Sequence, residues 1–338
     1  MRTSDFDYDL PGELIAQNPV VPRDSARLMV IDREMGSIEH SRVSDLPHHL
    51  RAGDLMTVNN TRVMAARLLG RREDTGGSVE ALLVRPRGER LWEVMFRPAR
   101  RALADRSFVF EAGDGSLRAS VAGREGDLIL LEFERAFDPG RVGKVPLPPY
   151  VTAFTGNVEQ YQTIFARTPA SSAAPTAGLH FTPGLVAALE SAGIARAEIT
   201  LEVGPGTFRP VTVDDPLLHR MHAERFDIEP AAARLLKGTL DGGRRVVAVG
   251  TTVVRTVEHV HRQHGMIVPG RGETDLFILP GFAFRVTGAL LTNFHLPRST
   301  LLMLVAAFGG RELILSAYRE AVASRYRFFS FGDAMLIV

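Results

Sequence analysis

Residues 244–265, RRVVAVGTTVVRTVEHVHRQHG, decide the fold class. The apolar run 246–249 is short and β-branched, as a buried strand requires. A glycine follows at once. Apolar residues then return at helical spacing, with a threonine as cap ahead and Gly265 as a stop behind. A strand that feeds directly into a helix is the unit of an α/β domain. The same alternation recurs on both sides. FTPGLVAALESAG (181–193) predicts a helix with Thr182 as N-cap, Pro183 in first position and Gly193 past its end, and AEITLEVG (197–204) predicts the strand after it. LLTNFHL (290–296) is a third strand, with TLLMLVAAFGG (300–310) and ELILSAYREAVASRY (312–326) as two more helices.

Toward the N-terminus the texture is different. LPGELIAQ, RLMVID and DLMTVNNTRV give a mixed start, with an apolar run broken at Asn59-Asn60. From about Arg62 onward ARLLGRRE, SVEALLVRPR, LWEVMFRPARR, SFVFEAG and LRASVAGREGDLILLEFE are short strand-like runs separated by Gly and Pro turns, with no helical stretch among them. That pattern fits a small β-barrel. VGKVPLPPY (142–150) is too proline-rich to continue a ladder and reads as a stiff exit. The expected class is therefore α/β and multidomain: a discontinuous α/β sheet-and-helix domain over 1–61 and 143–338, carrying an inserted small β-barrel domain over 62–142.

With 338 residues the chain is long enough to bury a large core without staples. It has no cysteine, which excludes disulfides, Cys-ligated zinc and thiol nucleophiles. The acidic start MRTSDFDYDL has no apolar run, and Leu301–Phe308 is too short to span a bilayer, so a soluble, cytoplasmic protein with no membrane partner is the expectation. Net charge is +1, yet lysine occurs only at Lys144 and Lys237, so nearly all forty basic residues are arginine. Coding bias is the bland explanation, and phosphate recognition by the guanidinium fork the functional one. From Arg62 to Arg106 eleven arginines face six acids, a surplus that suits a polyanionic partner.

Polar residues interrupt apolar runs in five places, all at element ends, where open α/β sheets bind ligands. His180 and Phe181 stand just before the helix capped by Thr182. Glu202 precedes Gly204-Pro205-Gly206, where backbone can approach a ligand or simply turn. HRMHAERF (219–226) holds His219, His222 and Glu224; its His-x-x-His spacing suits neighbouring helix positions, but too few ligands are present for a metal. Thr251-Thr252 open the helix after the buried strand, with Arg255 and Glu258 further along as a ligand-facing pair or a surface ion pair. Asp275, Asn293 and His295 sit in strongly apolar surroundings, where buried polar groups need partners. There is no G-x-S-x-G elbow, no Walker loop and no full G-x-G-x-x-G after a first strand, which lowers acyl transfer, ATP hydrolysis and nicotinamide chemistry.

Taken together, FDYDLPGELIAQNP, RLMVID, GDLMTVNNTRVMAARLLG, PLPPY, YQTIFA, AAPTAGLHFT, VGPGTFRPV, AVGTTVVRT, FILPGF, LLTNFHLPRSTLLMLVAAFGG and YRFFSFGDAMLI, spread from residue 6 to residue 337, resemble the S-adenosylmethionine:tRNA ribosyltransferase-isomerase family of queuosine biosynthesis. The resemblance implies an α/β domain with an inserted barrel. It also implies transfer and isomerisation of the ribosyl moiety of S-adenosylmethionine onto 7-aminomethyl-7-deazaguanine at the tRNA wobble position, giving epoxyqueuosine with release of adenine and methionine. S-adenosylmethionine is then a consumed substrate, with no metal or other cofactor, and a monomer is expected. On the matching motifs, His180, His295, Asp275 and Glu202 are the candidates for proton transfer or amine positioning. Phe181 and Phe294 would hold the sulfonium or adenine by ring-face contact. Thr251, Thr252 and Arg255 would hold methionine's carboxylate or a tRNA phosphate. Thr176, Gly204, Gly206, His222, Glu224 and Asn293 complete the substrate contacts, and Arg62, Arg97, Arg100 and Arg101 would contact tRNA. The chain departs from the family's usual T-L-H-V-G at Glu202, and has Ala223 where Ser is common. Two alternatives follow: a diverged S-adenosylmethionine-dependent enzyme of the same scaffold acting on another nucleobase, with Glu202 as its motive, or a non-catalytic RNA-binding protein using the Arg-rich barrel.

Overall fold

In a computed structural model, which describes residues 1–104, 106–112, 115–204 and 211–338, the chain divides into two compact units. In chain order the strands are β1 (Arg27–Asp32), β2 (Ser37–Arg42), β3 (Leu55–Asn59), β4 (Thr61–Val63), β5 (Arg67–Arg72), β6 (Ser78–Pro86), β7 (Leu91–Arg97), β8 (Ser107–Ala112), β9 (Gly115–Glu125), β10 (Leu128–Phe133), β11 (Thr168–Ser171), β12 (Ala195–Leu201), β13 (Glu224–Ile228), β14 (Val246–Val249), β15 (Gly270–Thr274), β16 (Thr287–Asn293) and β17 (Ala334–Ile337). The helices are α1 (Leu46–His49), α2 (Pro139–Val142), α3 (Pro183–Ser191), α4 (Pro230–Asp241), α5 (Thr251–His264), α6 (Thr300–Gly309) and α7 (Arg311–Ala323).

The first unit is built on a nine-stranded sheet in the order β15-β13-β12-β3-β14-β16-β17-β1-β2. Strands β12, β3, β14 and β16 run parallel, so their carboxyl ends share one edge. The fully buried run Val246–Val249 supplies the centre of this parallel set. Alternate residues point to alternate faces. Leu28, Val30, Met56, Val58, Val247, Val249, Ala289, Leu291, Ala334 and Leu336 join Leu185, Val186 and Leu189 of α3 in one core cluster. Helices α4 and α5 pack against β12, β3 and β14 and contribute nothing to that cluster, so they cover the opposite face.

The second unit is a closed, antiparallel six-stranded barrel, β10-β7-β6-β5-β8-β9. Its interior is filled by apolar side chains, among them Leu68, Phe96, Phe108, Phe110, Leu131 and Phe133. Closure leaves no strand edge unpaired, which is how a short all-β segment stays soluble without helices over it.

Several expectations are corrected. The barrel unit extends over Val63–Pro148 and takes in Pro169–Ala173, so the expected start at 62 is one residue early and the expected end at 142 falls short. The cause is backbone pairing: Lys144 exchanges both hydrogen bonds with Arg67 (2.8 and 3.0 Å), and the Met64 N–H donates to the Ser171 carbonyl (2.8 Å). Only after Lys144 do the prolines end the ladder. Helix α5 is capped by Gly250 rather than by a threonine side chain, while its stop at Gly265, in the left-handed region at φ 70°, is as expected. The His-x-x-His stretch is not helical: residues 219–223 have no regular structure. Among the described residues no single helix is long and apolar enough to cross a membrane, and α6 and α7 bend by 116° at the break between them.

Candidate active site

The carboxyl edge of the parallel strands collects most of the polar breaks read from the sequence. Strand β12 ends into Glu202–Gly204, β14 into Gly250–Thr252, and β16 into Asn293–His295. Beside them Asn59, at the end of β3, joins two strands: its side chain accepts from the Leu201 N–H (3.1 Å) and donates to the Leu201 carbonyl (3.0 Å).

At the β16 end the polar groups form one network. Thr176 and His180 lie on a short 3₁₀ turn, Thr176–His180, which brings them to Asn293. The Thr176 hydroxyl donates to Asn293 Oδ1 (3.0 Å). Asn293 Nδ2 lies 3.1 Å from the Phe329 carbonyl oxygen and 3.1 Å from His180 Nε2. A carbonyl only accepts, so the atom facing it must be the amide nitrogen, and its second hydrogen points at His180. His180 Nε2 is therefore the unprotonated nitrogen, and the ring carries its proton on Nδ1. Burial, with the Arg23 and Arg327 charges adding to it, pushes this imidazole down to about 3. His180 is neutral at physiological pH and wired as a donor.

His295 is also buried, and burial pushes it down to about 3. Its Nε2 meets the Thr292 hydroxyl at 2.9 Å. Two tyrosines grip its backbone: the His295 N–H donates to the Tyr318 hydroxyl (2.9 Å), and the Tyr8 hydroxyl donates to the His295 carbonyl (2.5 Å). Burial raises both phenols, Tyr8 with a further push from Tyr318, so they stay protonated. A narrow pocket opens onto this cluster, lined by Tyr150, Thr176, Asn293, His295, Phe329 and Ser330 among others. Phe329 has φ 69°, a strained conformation for a bulky residue, and its carbonyl is the one that orients Asn293. Tyr8, Tyr150, Tyr318, Phe329 and Ser330 were missed as site residues by the sequence reading. Tyr8, Tyr150, Phe329 and Ser330 lie inside the matching strings FDYDLP, PLPPY and YRFFSFG, where aromatics look like core, and Tyr318 lies in the predicted helix ELILSAYREAVASRY with no polar signal beside it.

A second network occupies the β12–β13–β15 side. Arg255, on the second turn of α5 and 4% exposed, donates to Glu224, to the Leu276 carbonyl (2.9 Å) and to the Thr274 carbonyl (3.3 Å). Glu224 in turn accepts from the Gly204 N–H (3.2 Å). Arg255 and Glu224, expected as ligand contacts, are thus held by one another and tied to the loop behind Glu202. Glu258 is no surface partner for Arg255 either: its carboxylate accepts from the Arg285, Val286 and Thr287 N–H groups (2.9, 3.1 and 2.8 Å) at the start of β16.

The remaining expected residues divide. Glu202 is half-buried beyond β12, at the shared edge, and Gly204 is placed by Glu224. Thr251 and Thr252 are buried in the first turn of α5. Gly206 lies outside the described residues. Asp275 is exposed just past β15, not enclosed by apolar neighbours, and His222 is exposed. Among the described residues no group of His, Asp and Glu is arranged to hold a metal ion. Phe181 is a core residue: the extended backbone after His180 sends successive side chains to opposite sides, and its ring packs on Phe165 (5.3 Å). The Phe294 ring is wholly buried against Tyr318, Tyr326 and Phe328 (5.1–5.4 Å), so its faces are occupied by neighbours. Arg62 forms a bidentate pair with Glu159 (2.9 Å to each oxygen) within the sheet unit. On the barrel Arg97 and Arg100 are exposed, Arg101 donates to the Ser78 carbonyl (2.5 Å), and none of the three has a carboxylate partner among the described residues.

An α/β sheet whose carboxyl edge gathers two neutral imidazoles, an oriented amide and a helix N-terminus is an enzyme site for small polar substrates. The comparisons narrow that class. The family model described as "Queuosine biosynthesis protein" matches residues 3–337, and the chain belongs to this family. A protein of Symbiobacterium thermophilum named S-adenosylmethionine:tRNA ribosyltransferase-isomerase is 53% identical over the full length of both chains, and one of the same name from Carboxydothermus hydrogenoformans is 50% identical, again over both full lengths. The crystal structure of S-adenosylmethionine tRNA ribosyltransferase from Thermotoga maritima is 40% identical, covers 99% of this chain and 100% of its own, and superposes with a TM-score of 0.59.

Proposed function

We propose that the chain is an S-adenosylmethionine:tRNA ribosyltransferase-isomerase. It transfers the ribosyl moiety of S-adenosylmethionine to 7-aminomethyl-7-deazaguanine at the wobble position of tRNA and isomerises it, yielding epoxyqueuosine, adenine and methionine. The observation that carries this reading is the full-length family match, at about half identity to relatives of that name.

The site geometry supports it chemically. A sulfonium acidifies the neighbouring 5′ carbon, so the reaction needs a proton acceptor there, a donor for departing adenine and an unprotonated amine. His180 presents Nδ1–H as a fixed neutral donor and is suited to the leaving nitrogen. His295, neutral and held through its backbone, is suited to positioning the amine as a neutral hydrogen-bonding group. Because burial keeps both rings uncharged, the sulfonium meets no like charge from either. Glu202, at the same edge, remains the carboxylate suited to deprotonating the amine. In this reading the protein works in the cytoplasm as a monomer. It has no membrane partner and no metal or redox cofactor, S-adenosylmethionine being consumed as a substrate. Arg97, Arg100 and Arg101, which have no carboxylate partner among the described residues, provide the barrel's attraction for tRNA phosphates.

Adenine release from S-adenosylmethionine tests the proposal. Release only in the presence of tRNA bearing the aminomethyl deazaguanine, with the matching mass gain on the tRNA, is the expected outcome. Release with a different acceptor would favour a diverged enzyme, the reading that Glu202 motivates. RNA binding with no release at all would overturn catalysis.

A further inference from the structure

The N-terminus of α5 has donors without acceptors. Gly250 caps this helix at φ 94° and ψ 151° with no side-chain cap. The Gly250 N–H donates to the Leu291 carbonyl (2.8 Å), and the Val253 and Val254 N–H groups both turn to the Gly250 carbonyl (3.2 and 3.4 Å). Among the described residues the Thr251 and Thr252 N–H groups have no acceptor. An independent feature stands beside them: Thr252 Oγ1 is buried, its residue only 8% exposed, and among the described residues it has no hydrogen-bond partner. That hydroxyl lies 3.6 Å from the point a Cβ on Gly250 would occupy, so it is turned back over the helix end toward the two free N–H groups. Three donors converge where the helix dipole is positive.

The chemistry of the surroundings defines the ligand. The guanidinium of Arg255, one turn along, is engaged by Glu224 and by two carbonyls, so among the described residues neutral donors are what this helix end itself offers. A phosphate dianion is ordinarily met by Arg or Lys, whereas a carboxylate is satisfied by two or three neutral donors at a helix end. The position matches as well. The same Cβ point is 3.5 Å from the Cβ of Ala177, whose neighbour Thr176 hydrogen-bonds Asn293. Any side chain at residue 250 would be strained at that φ.

We propose that the first turn of α5, through the Thr251 and Thr252 N–H groups and the Thr252 hydroxyl, is a carboxylate-binding site. Resting on the reaction proposed above, it takes the α-carboxylate of the methionyl part of S-adenosylmethionine. Arg255 does not share in this contact and acts by holding Glu224. Calorimetric titration of the full-length protein with S-adenosylmethionine and with decarboxylated S-adenosylmethionine tests the site. Two variants are used: Thr252→Val, which deletes the hydroxyl, and Thr251→Pro, which deletes one N–H at the first helical position, where proline is tolerated. Wild type is expected to prefer the carboxylated ligand by about tenfold or more. Each variant is expected to weaken S-adenosylmethionine about tenfold and leave the decarboxylated ligand within about twofold. Equal weakening of both ligands, or of neither, would overturn the site. A wild type that turns over S-adenosylmethionine yet binds both ligands alike would overturn this site alone, and one that binds neither ligand would remove the proposed reaction with it.

Discussion

The sheet unit and the barrel handle polarity in opposite ways. In the sheet unit His180, Glu224, Arg255, Glu258, Asn293 and His295 are all buried, and each is held by named partners. In the barrel the interior is apolar, and Glu93 is the single buried charged residue among those described. Its other charges are spread over the outside, many of them in pairs such as Arg90–Glu132 (3.1 Å) and Arg118–Glu73 (3.4 Å). Burying polar groups costs free energy unless every one finds a partner. The first unit bears that cost mainly at the carboxyl edge of its sheet, with Glu258 at the amino end of β16, and the second largely avoids it. Chemistry is therefore to be sought in the sheet unit, and electrostatic attraction on the barrel.

The contrast is sharpest in acid. His180 and His295 titrate near 3 in the folded protein because burial disfavours their charged forms, against about 6.5 when unfolded. Their folded values are depressed, so the unfolded chain binds more protons between these limits. The stabilisation is fully present above pH 6.5 and is lost as pH falls toward 3, by several kcal/mol for the two groups together. Denaturation midpoints measured from pH 7.5 to 4 should fall accordingly, and much less in a His180→Gln, His295→Gln double variant relative to its own neutral-pH value. A slope shared equally by both proteins would assign the acid loss to carboxylates instead.

Next in size is Glu224→Ala, which leaves the buried Arg255 charge without its carboxylate and the Gly204 N–H without its acceptor. A loss of about 3–5 kcal/mol in urea denaturation is expected. A change below about 1 kcal/mol would show that water reaches Arg255 once Glu224 is removed.

On the barrel, effects should be electrostatic and smaller. Removing the charges of Arg97, Arg100 and Arg101 together should weaken tRNA binding and flatten its dependence on salt, by about 0.9 in logarithmic slope for each phosphate left without its arginine. An unchanged slope would move the tRNA surface off this part of the barrel. Smallest of all, Glu73→Ala, which breaks an exposed pair with Arg118, should shift stability by less than about 0.5 kcal/mol. A larger loss would mean that the barrel too depends on its charges.

Element type was legible because it is local. Thr182 caps α3 through the Leu185 N–H (3.1 Å), and the barrel strands alternate as their sequences do. Burial of polar residues was legible only in part. Asn293 and His295 stood out because strongly apolar neighbours surround them, and they are indeed inside. Asp275 has similar neighbours, yet it lies just past an outer strand of the sheet and is exposed. The pairing of Arg255 with Glu258, plausible from their spacing on one helix, was displaced by partners on other strands.

By itself, the sequence determined the α/β and barrel segments, the order of the elements and the family, since periodicity, caps and long motifs are written along the chain. Tertiary structure alone decided which polar groups are consumed by one another and which are left over for a ligand. Arg255 meets Glu224 from 31 residues away, and His180 meets Asn293 across 113. Hydrogen-bonding capacity is local to a residue, but its satisfaction depends on whatever the fold brings within 3 Å of it.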